Sequence, residues 1–310
     1  MQNDLSLSSL EKNLNMEEIL RLSHFLKGYL GNRKLEGLLN GGHHSPQRGQ
    51  SLEFAQHREY APLDDLKHLD WKVFAKSDKY YIKQFEKENH IRAYFCLDFS
   101  NSMNFKGEKS KFSKIDFAIH LALIIALYKL NQGEAISGIT FDDQLRDQLP
   151  PKTKKDYFRE ILRLLIQSQE KFGQSTNLLQ SLRGLSEQML PKGICLIFSD
   201  VFDFNHGEYP LIDVCLELQK QGHQVVIFQT LDQEELTFPF EELTRFEGLE
   251  FGDEAIQLDP VSIKKAYLQE IEAYCQGLKQ RCMAQGIAYH QISNALSLEE
   301  AIFQILGENR

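Results

Sequence analysis

The chain has 310 residues, 42% hydrophobic and 25% charged, an ordinary globular composition with room for one large domain or two modest ones. A formal net charge of −9 argues against a dedicated nucleic-acid or anionic-membrane surface. The longest apolar run, Leu121 to Leu127, is too short to cross a bilayer, and Met1-Gln2-Asn3-Asp4 opens no basic-then-apolar leader, so a cytoplasmic protein with no transmembrane segment is expected.

In chain order, Leu14, Ile19, Leu20, Leu22 and Leu26 predict a helix from about Ser9 to Leu30. Gly41-Gly42-His43-His44-Ser45-Pro46 is loop chemistry. From Ser45 to Glu88 charged residues alternate with aromatic ones around the single tryptophan, Trp71. That segment reads as burying its aromatics and pairing its charges against a larger domain, with a binding or catalytic surface as the alternative. His43, His44, His57 and His68 lack metal-finger spacing. Tyr80 to Phe85 reads as an edge strand.

Arg92 to Asp98 is an apolar run ending in an acid and reads as a buried strand. Lys111 to Asn131 is the strongest helix, carried by Ile115, Ala118, Ile119, Ala122, Leu123, Ala126, Leu127 and Leu130. Strands are predicted at Ala135–Phe141 and Gln144–Leu149, then helices at Lys152–Lys171 and Asn177–Leu190. The strand Ile194–Ser199, the helix Leu211–Gln221 and the strand His223–Thr230 follow. Short strands are expected at Leu249–Phe251 and Ala255–Leu258, a helix from Pro260 to Ala284, a strand at Ile287–Ile292 and a helix at Leu298–Leu306. Strands alternating with helices from residue 91 onward predict an α/β fold with a Rossmann-like, doubly wound, mostly parallel sheet over 91–310. Residues 1–90 read as a helical and β extension packed on it. Of the five cysteines, Cys96 and Cys195 fall in core strands and read as buried reduced thiols.

Asp98 is placed at the carboxyl end of its strand, where open parallel sheets bind ligands, and Ser100 and Ser102 follow at alternate positions. Alone, such a tract is most often a turn or a helix cap. Two further pieces change that reading: Thr176, near the start of a helix after Gly173, and Asp200, ending the second apolar strand. Two carboxylates and three hydroxyls are hard oxygen ligands, suited to magnesium or calcium and not to zinc. Magnesium there would keep waters and an open position, which an acidic side chain of a partner protein would fill.

Asp98, Ser100 and Ser102, with Thr176 and Asp200 downstream, resemble the metal-ion-dependent adhesion site of the von Willebrand factor type A domain. The resemblance implies a Rossmann-like sheet, a binding function and Mg2+ (Mn2+ or Ca2+ in its place). It also implies direct ligation by the two serines, direct or water-mediated ligation by Thr176, and action of the aspartates largely through water. Arg48-Gly49, Glu53-Phe54, Arg58-Glu59-Tyr60, Asp64-Asp65 and Asp70-Trp71, with Ser199-Asp200-Val201-Phe202-Asp203, resemble the bacterial family called domain of unknown function 58. That resemblance implies an adaptor or co-chaperone working with a MoxR-type AAA+ ATPase. Leu63 replaces the family's usual Gly, and Lys67 and Lys76 its usual Arg, so a bidentate carboxylate clamp there is altered. The expected function is a non-catalytic, metal-dependent protein-binding module. The alternatives are a metal-assisted phosphohydrolase, for which Ser100 stands where a second acid is needed, and a structural subunit with a vestigial site.

Overall fold

The computed structural model describes residues 14–30, 52–59, 73–74, 80–87, 92–169, 172, 184, 189–202, 209–240, 244–247 and 255–307. In chain order these form α1 (Met16–Leu30), β1 (Leu52–Glu59), β2 (Tyr81–Lys87), β3 (Arg92–Asp98), a 3-10 turn (Asn101–Asn104), α2 (Lys114–Asn131), β4 (Ala135–Phe141), β5 (Leu145–Gln148) and α3 (Tyr157–Ser168). Then follow β6 (Gly193–Ser199), α4 (Pro210–Lys220), β7 (Gln224–Leu231), α5 (Gln233–Thr237), β8 (Thr244–Glu247), β9 (Ala255–Leu258), α6 (Pro260–Ala284), β10 (Ala288–Ser293) and α7 (Leu298–Gly307). Two compact units result: Met1–His44 with Ile91–Arg310, and Ser45–His90.

The larger unit is built on a six-stranded sheet of order β10-β7-β6-β3-β4-β5, parallel except for β5. Helices cover both faces, so its central strands are apolar along their whole length instead of alternating. Ala93, Phe95 and Leu97 of β3 point into a core shared with α1, α2, α3 and α7. Tyr94 and Cys96 point into the opposite core, with Leu211 and Leu218 of α4 and Leu278 of α6. This is the period-2 alternation of a strand buried on both sides. α2 is buried on nearly every side, as its apolar flanks predict. All five cysteines are free and buried, and the Cys96 and Cys195 sulfurs lie 3.5 Å apart.

The chain leaves β3 toward β4 on one side and returns to β6 on the other. Its topological switch point therefore lies between β3 and β6, at their carboxyl ends.

The smaller unit holds β1 and β2, paired antiparallel with a bulge between Phe54 and Gln56. The Phe74 and Tyr80 rings stack there, centroids 4.5 Å apart. β2 matches the expected strand, whereas β1 falls where only alternation of charges and aromatics was read.

Other boundaries differ from expectation for local reasons. α2 begins at Lys114, because the Ser113 hydroxyl caps it by accepting the Asp116 N–H. α3 begins at Tyr157, because Lys152 is extended and exchanges two backbone hydrogen bonds with Ile136. β9 pairs with Thr244–Glu247, a strand the sequence reading does not contain. The expected strand Leu249–Phe251, most of the expected helix Asn177–Leu190, and Leu63, Lys67 and Lys76 lie outside the described residues.

β3 and β6 approach closely at Gly193, where a Cβ would meet the Arg92 carbonyl oxygen at 2.6 Å and the Tyr94 ring at 2.9 Å. Gly193→Ala is expected to destabilise the protein by about 1–3 kcal/mol, read as a lower urea midpoint at unchanged slope.

Candidate functional site

β3 and β6 are parallel neighbours in register, with Leu97 opposite Phe198, so their following residues, Asp98 and Ser199, lie level at the switch point. Asp98 is fully buried. One of its oxygens, Oδ1, accepts the Ser100 backbone N–H at 2.9 Å, and Oδ2 accepts the Ser199 hydroxyl at 2.6 Å. Ser100 opens the 3-10 turn, yet its side chain makes no capping hydrogen bond there. Its hydroxyl lies 3.1 Å from that of Ser102 instead. The ordinary cap role of such a serine is thus not the one adopted. Ser102 is only partly buried and forms the open side of the group.

Asp200, directly after β6, is buried too. Its carboxylate accepts the Lys114 ammonium at 2.9 Å, and that ammonium also bonds Glu235 of α5 at 2.7 Å. The backbone here is strained: Val201 has φ 64°, a left-handed conformation that β-branched residues rarely adopt. Three side chains hold it. The Val201 N–H donates to Ser199 Oγ (2.9 Å), Gln229 donates to the Asp200 carbonyl (2.9 Å), and the Tyr274 hydroxyl donates to the Val201 carbonyl (2.7 Å).

The loop between the 3-10 turn and α2 is pinned by three acids at and near the start of α5. Asp232 accepts the Gly107 N–H and the Ser110 hydroxyl, Glu234 accepts the Glu108 N–H, and Glu235 holds Lys114. Gly107 has to be glycine, since a Cβ would lie 2.3 Å from an Asp232 oxygen. Asp232 and Glu235 also form a capping box on α5, and Asn294 bonds Asp232 at 2.7 Å. Burial works against the Asp232 carboxylate, but its donors outweigh it and hold the group below the usual range.

Burial, and next the Asp200 charge, push Asp98 up to about 7. Burial alone would lower the Lys114 ammonium, but Asp200 and Glu235 outweigh it and hold it above the ordinary lysine value. Burial likewise raises Glu235, against the pull of Lys114. One ammonium thus serves Asp200 and Glu235, while the hydrogen bonds found on Asp98 come from neutral donors.

The sequence-predicted residues Asp98, Ser100, Ser102 and Asp200 meet at this one end of the sheet. Thr176 lies outside the described residues. Among the described residues, no three His, Cys, Asp or Glu side chains are arranged to hold a metal ion. The donors at hand are instead two carboxylates and neighbouring hydroxyls. They fit a hard divalent cation, because Asp98 carries a burial cost that such a charge would offset. Ser199 entered the sequence reading only as a strand end and within the family-like run Ser199 to Asp203, without a role of its own, and Lys114, Asp232 and Glu235 were not singled out. A signal existed for Lys114, which shares a helical face with Ala118, Leu121 and Ile125 and is therefore a charge on a buried stripe.

Between the ordinary carboxylate value of about 3.9 and about 7, folded Asp98 keeps a proton that the unfolded chain has released, so stability falls as pH rises through that window. Asp98→Asn cannot ionise. In chelator, its stability advantage over wild type is expected to grow by roughly 2–4 kcal/mol between about pH 4 and about pH 8, measured by denaturant unfolding.

A family model described as a protein of unknown function, DUF58, matches residues 56–273. Uncharacterised proteins of Mycobacterium bovis and Mycobacterium tuberculosis are each 23% identical over 208 residues, covering 67% of this chain and 63% of theirs. The chain thus spans less than two thirds of these relatives' length. Among solved structures, the conserved hypothetical protein BatB from Bacteroides thetaiotaomicron aligns over 71% of this chain and 98% of its own, at 18% identity and a TM-score of 0.43. An aerotolerance-related membrane protein from Bacteroides fragilis aligns over 70% and 99%, at 20% identity and a TM-score of 0.43. No helix among the described residues is long and apolar enough to cross a membrane. With the family model matching residues 56–273 of 310, the chain belongs to the DUF58 family.

Proposed function

We propose that this protein is a non-catalytic, metal-dependent protein-binding module of the von Willebrand factor A type. In this reading Asp98, Ser100, Ser102 and Asp200, with Thr176 from the sequence, hold Mg2+, or Mn2+ or Ca2+ in its place. The observation that carries it is a fully buried Asp98 carboxylate, raised to about 7, beside two serine hydroxyls 3.1 Å apart and a second buried acid. The ion would supply positive charge at the switch point and a coordination position open to an acidic side chain of the partner. The chain's own contribution is positional. Ser199 and the Ser100 N–H orient Asp98, Lys114 orients Asp200, and the three acids at α5 fix the loop between them.

Burial also speaks against Asp98 as an attacking nucleophile, since it has no exposed surface and both its oxygens accept hydrogen bonds. The partner class that the family resemblance suggests is a MoxR-type AAA+ ATPase, with this chain as its adaptor or co-chaperone, working in the cytoplasm.

The test is a binding titration of the purified chain against the MoxR-type ATPase of its source organism. Chelator is expected to abolish binding, and Ser100→Ala to weaken it about tenfold or more without lowering the melting temperature. Binding indifferent to both would move the contact surface elsewhere. Divalent affinity itself, followed by calorimetry, is expected to fall by up to about tenfold for each pH unit below about 7, as Asp98 takes up its proton.

A further inference from the structure

Lys114 breaks two rules at once. It is the first residue of α2, where the helix dipole presents its positive end and disfavours a cation. It is also completely buried, which is rare for lysine. Both costs are met only because two acids converge on its ammonium, Asp200 from the end of β6 and Glu235 from α5.

That ammonium takes Oδ2 of Asp200. The other oxygen, Oδ1, accepts only a long 3.4 Å bond from the Phe202 N–H among the contacts of the described residues. An ion bound between Asp98 and Asp200 would therefore share the Asp200 charge with a cation already in place. Glu235 is the second acid on the Lys114 ammonium and draws part of its charge away from Asp200. Through the capping box it is fixed to the same short helix whose acids hold the loop after Ser102.

We infer that Lys114 is a resident cation of the site, a positioning residue that sets how weakly the site takes a divalent ion. This rests on the metal-binding reading above and adds its regulation. Two cations on one carboxylate repel each other, and the repulsion is largest where water is excluded. The site is thereby kept in a regime of ready exchange, in which the partner's acid contributes a large share of the total binding.

The experiment measures Mn2+ affinity by electron paramagnetic resonance, and Mg2+ affinity by calorimetry, on the whole chain. Wild type is compared with Lys114→Met and Glu235→Gln, each checked for folding by circular dichroism. Lys114→Met keeps the apolar stem and removes the charge, and is expected to tighten the ion about tenfold or more. Glu235→Gln leaves the ammonium wholly on Asp200 and is expected to weaken the ion several-fold; should Lys114→Met not fold, Lys114→Gln, which keeps a hydrogen-bond donor without the charge, takes its place and is expected to tighten the ion likewise. A purely structural Lys114 would make both variants weaker, and that result overturns the inference. An ion bound by wild type and unmoved by either variant overturns the role of Lys114 while the metal site stands. An ion bound by Lys114→Met and not by wild type keeps Lys114 as the site's own cation and overturns the metal reading of wild type. No ion bound by any of the three overturns both.

Discussion

Two carboxylates are buried at the ends of neighbouring parallel strands, near enough for the charge of Asp200 to act on Asp98, and among the described residues a single ammonium bonds one of them. Burying charge is costly unless it is paired, and the Lys114 ammonium, the one cation found on these acids among the described residues, cannot neutralise Asp98, Asp200 and Glu235 together. Much of the surrounding architecture follows from that imbalance. A lysine occupies a helix start where its charge is unwelcome, a five-residue helix is lined with acids, and a glycine is required at position 107. These features make sense as a set whose members hold one another in place.

The sheet explains why the imbalance sits where it does. Strand β3 enters first and its neighbours are added on opposite sides, so the loops after β3 and β6 diverge and leave a gap between them. Both faces of the sheet are covered by helices, and the central strands are held by packing on two cores. The scaffold is thus rigid beneath the site, and the loops need only local hydrogen bonds to set their shape. The hydrogen bonds from Ser199, Gln229 and Tyr274 do this for the β6 side, and the acids at α5 do it for the β3 side.

How much of this was legible depended on how locally each feature is determined. β3, β6, β7 and α2 are continuous apolar runs, and such runs announce themselves in sequence because burial on both sides leaves little room for polar residues. Asp98, Ser100, Ser102 and Asp200 were readable because each ends or follows such a strand. β8 and α5 were not readable, since four or five mostly polar residues carry no period to detect. Gln233–Thr237 is a helix because Asp232 and Glu235 cap it and the opposite loop bonds to its acids, contacts between residues more than a hundred positions apart. Ser199 was legible only as a strand end and the start of a family-like run; its hydroxyl has a role because β6 lies beside β3. Lys114 was hidden for the opposite reason, since lysine near a helix start is usually read as a solvated charge.

Val201 ties the aim of Asp200 to the integrity of the second core. A left-handed valine costs on the order of 1–3 kcal/mol, and what holds it is its burial in the core formed with α4 and α6, together with three hydrogen bonds. The strained turn that aims Asp200 is therefore the part of this region with most to gain by relaxing. Were the second core to loosen on warming, that turn would be released before the sheet gives way. On the metal-binding reading, ion affinity would then decline over a range of temperature in which far-ultraviolet circular dichroism stays constant, and the working limit of the protein would lie below its melting point.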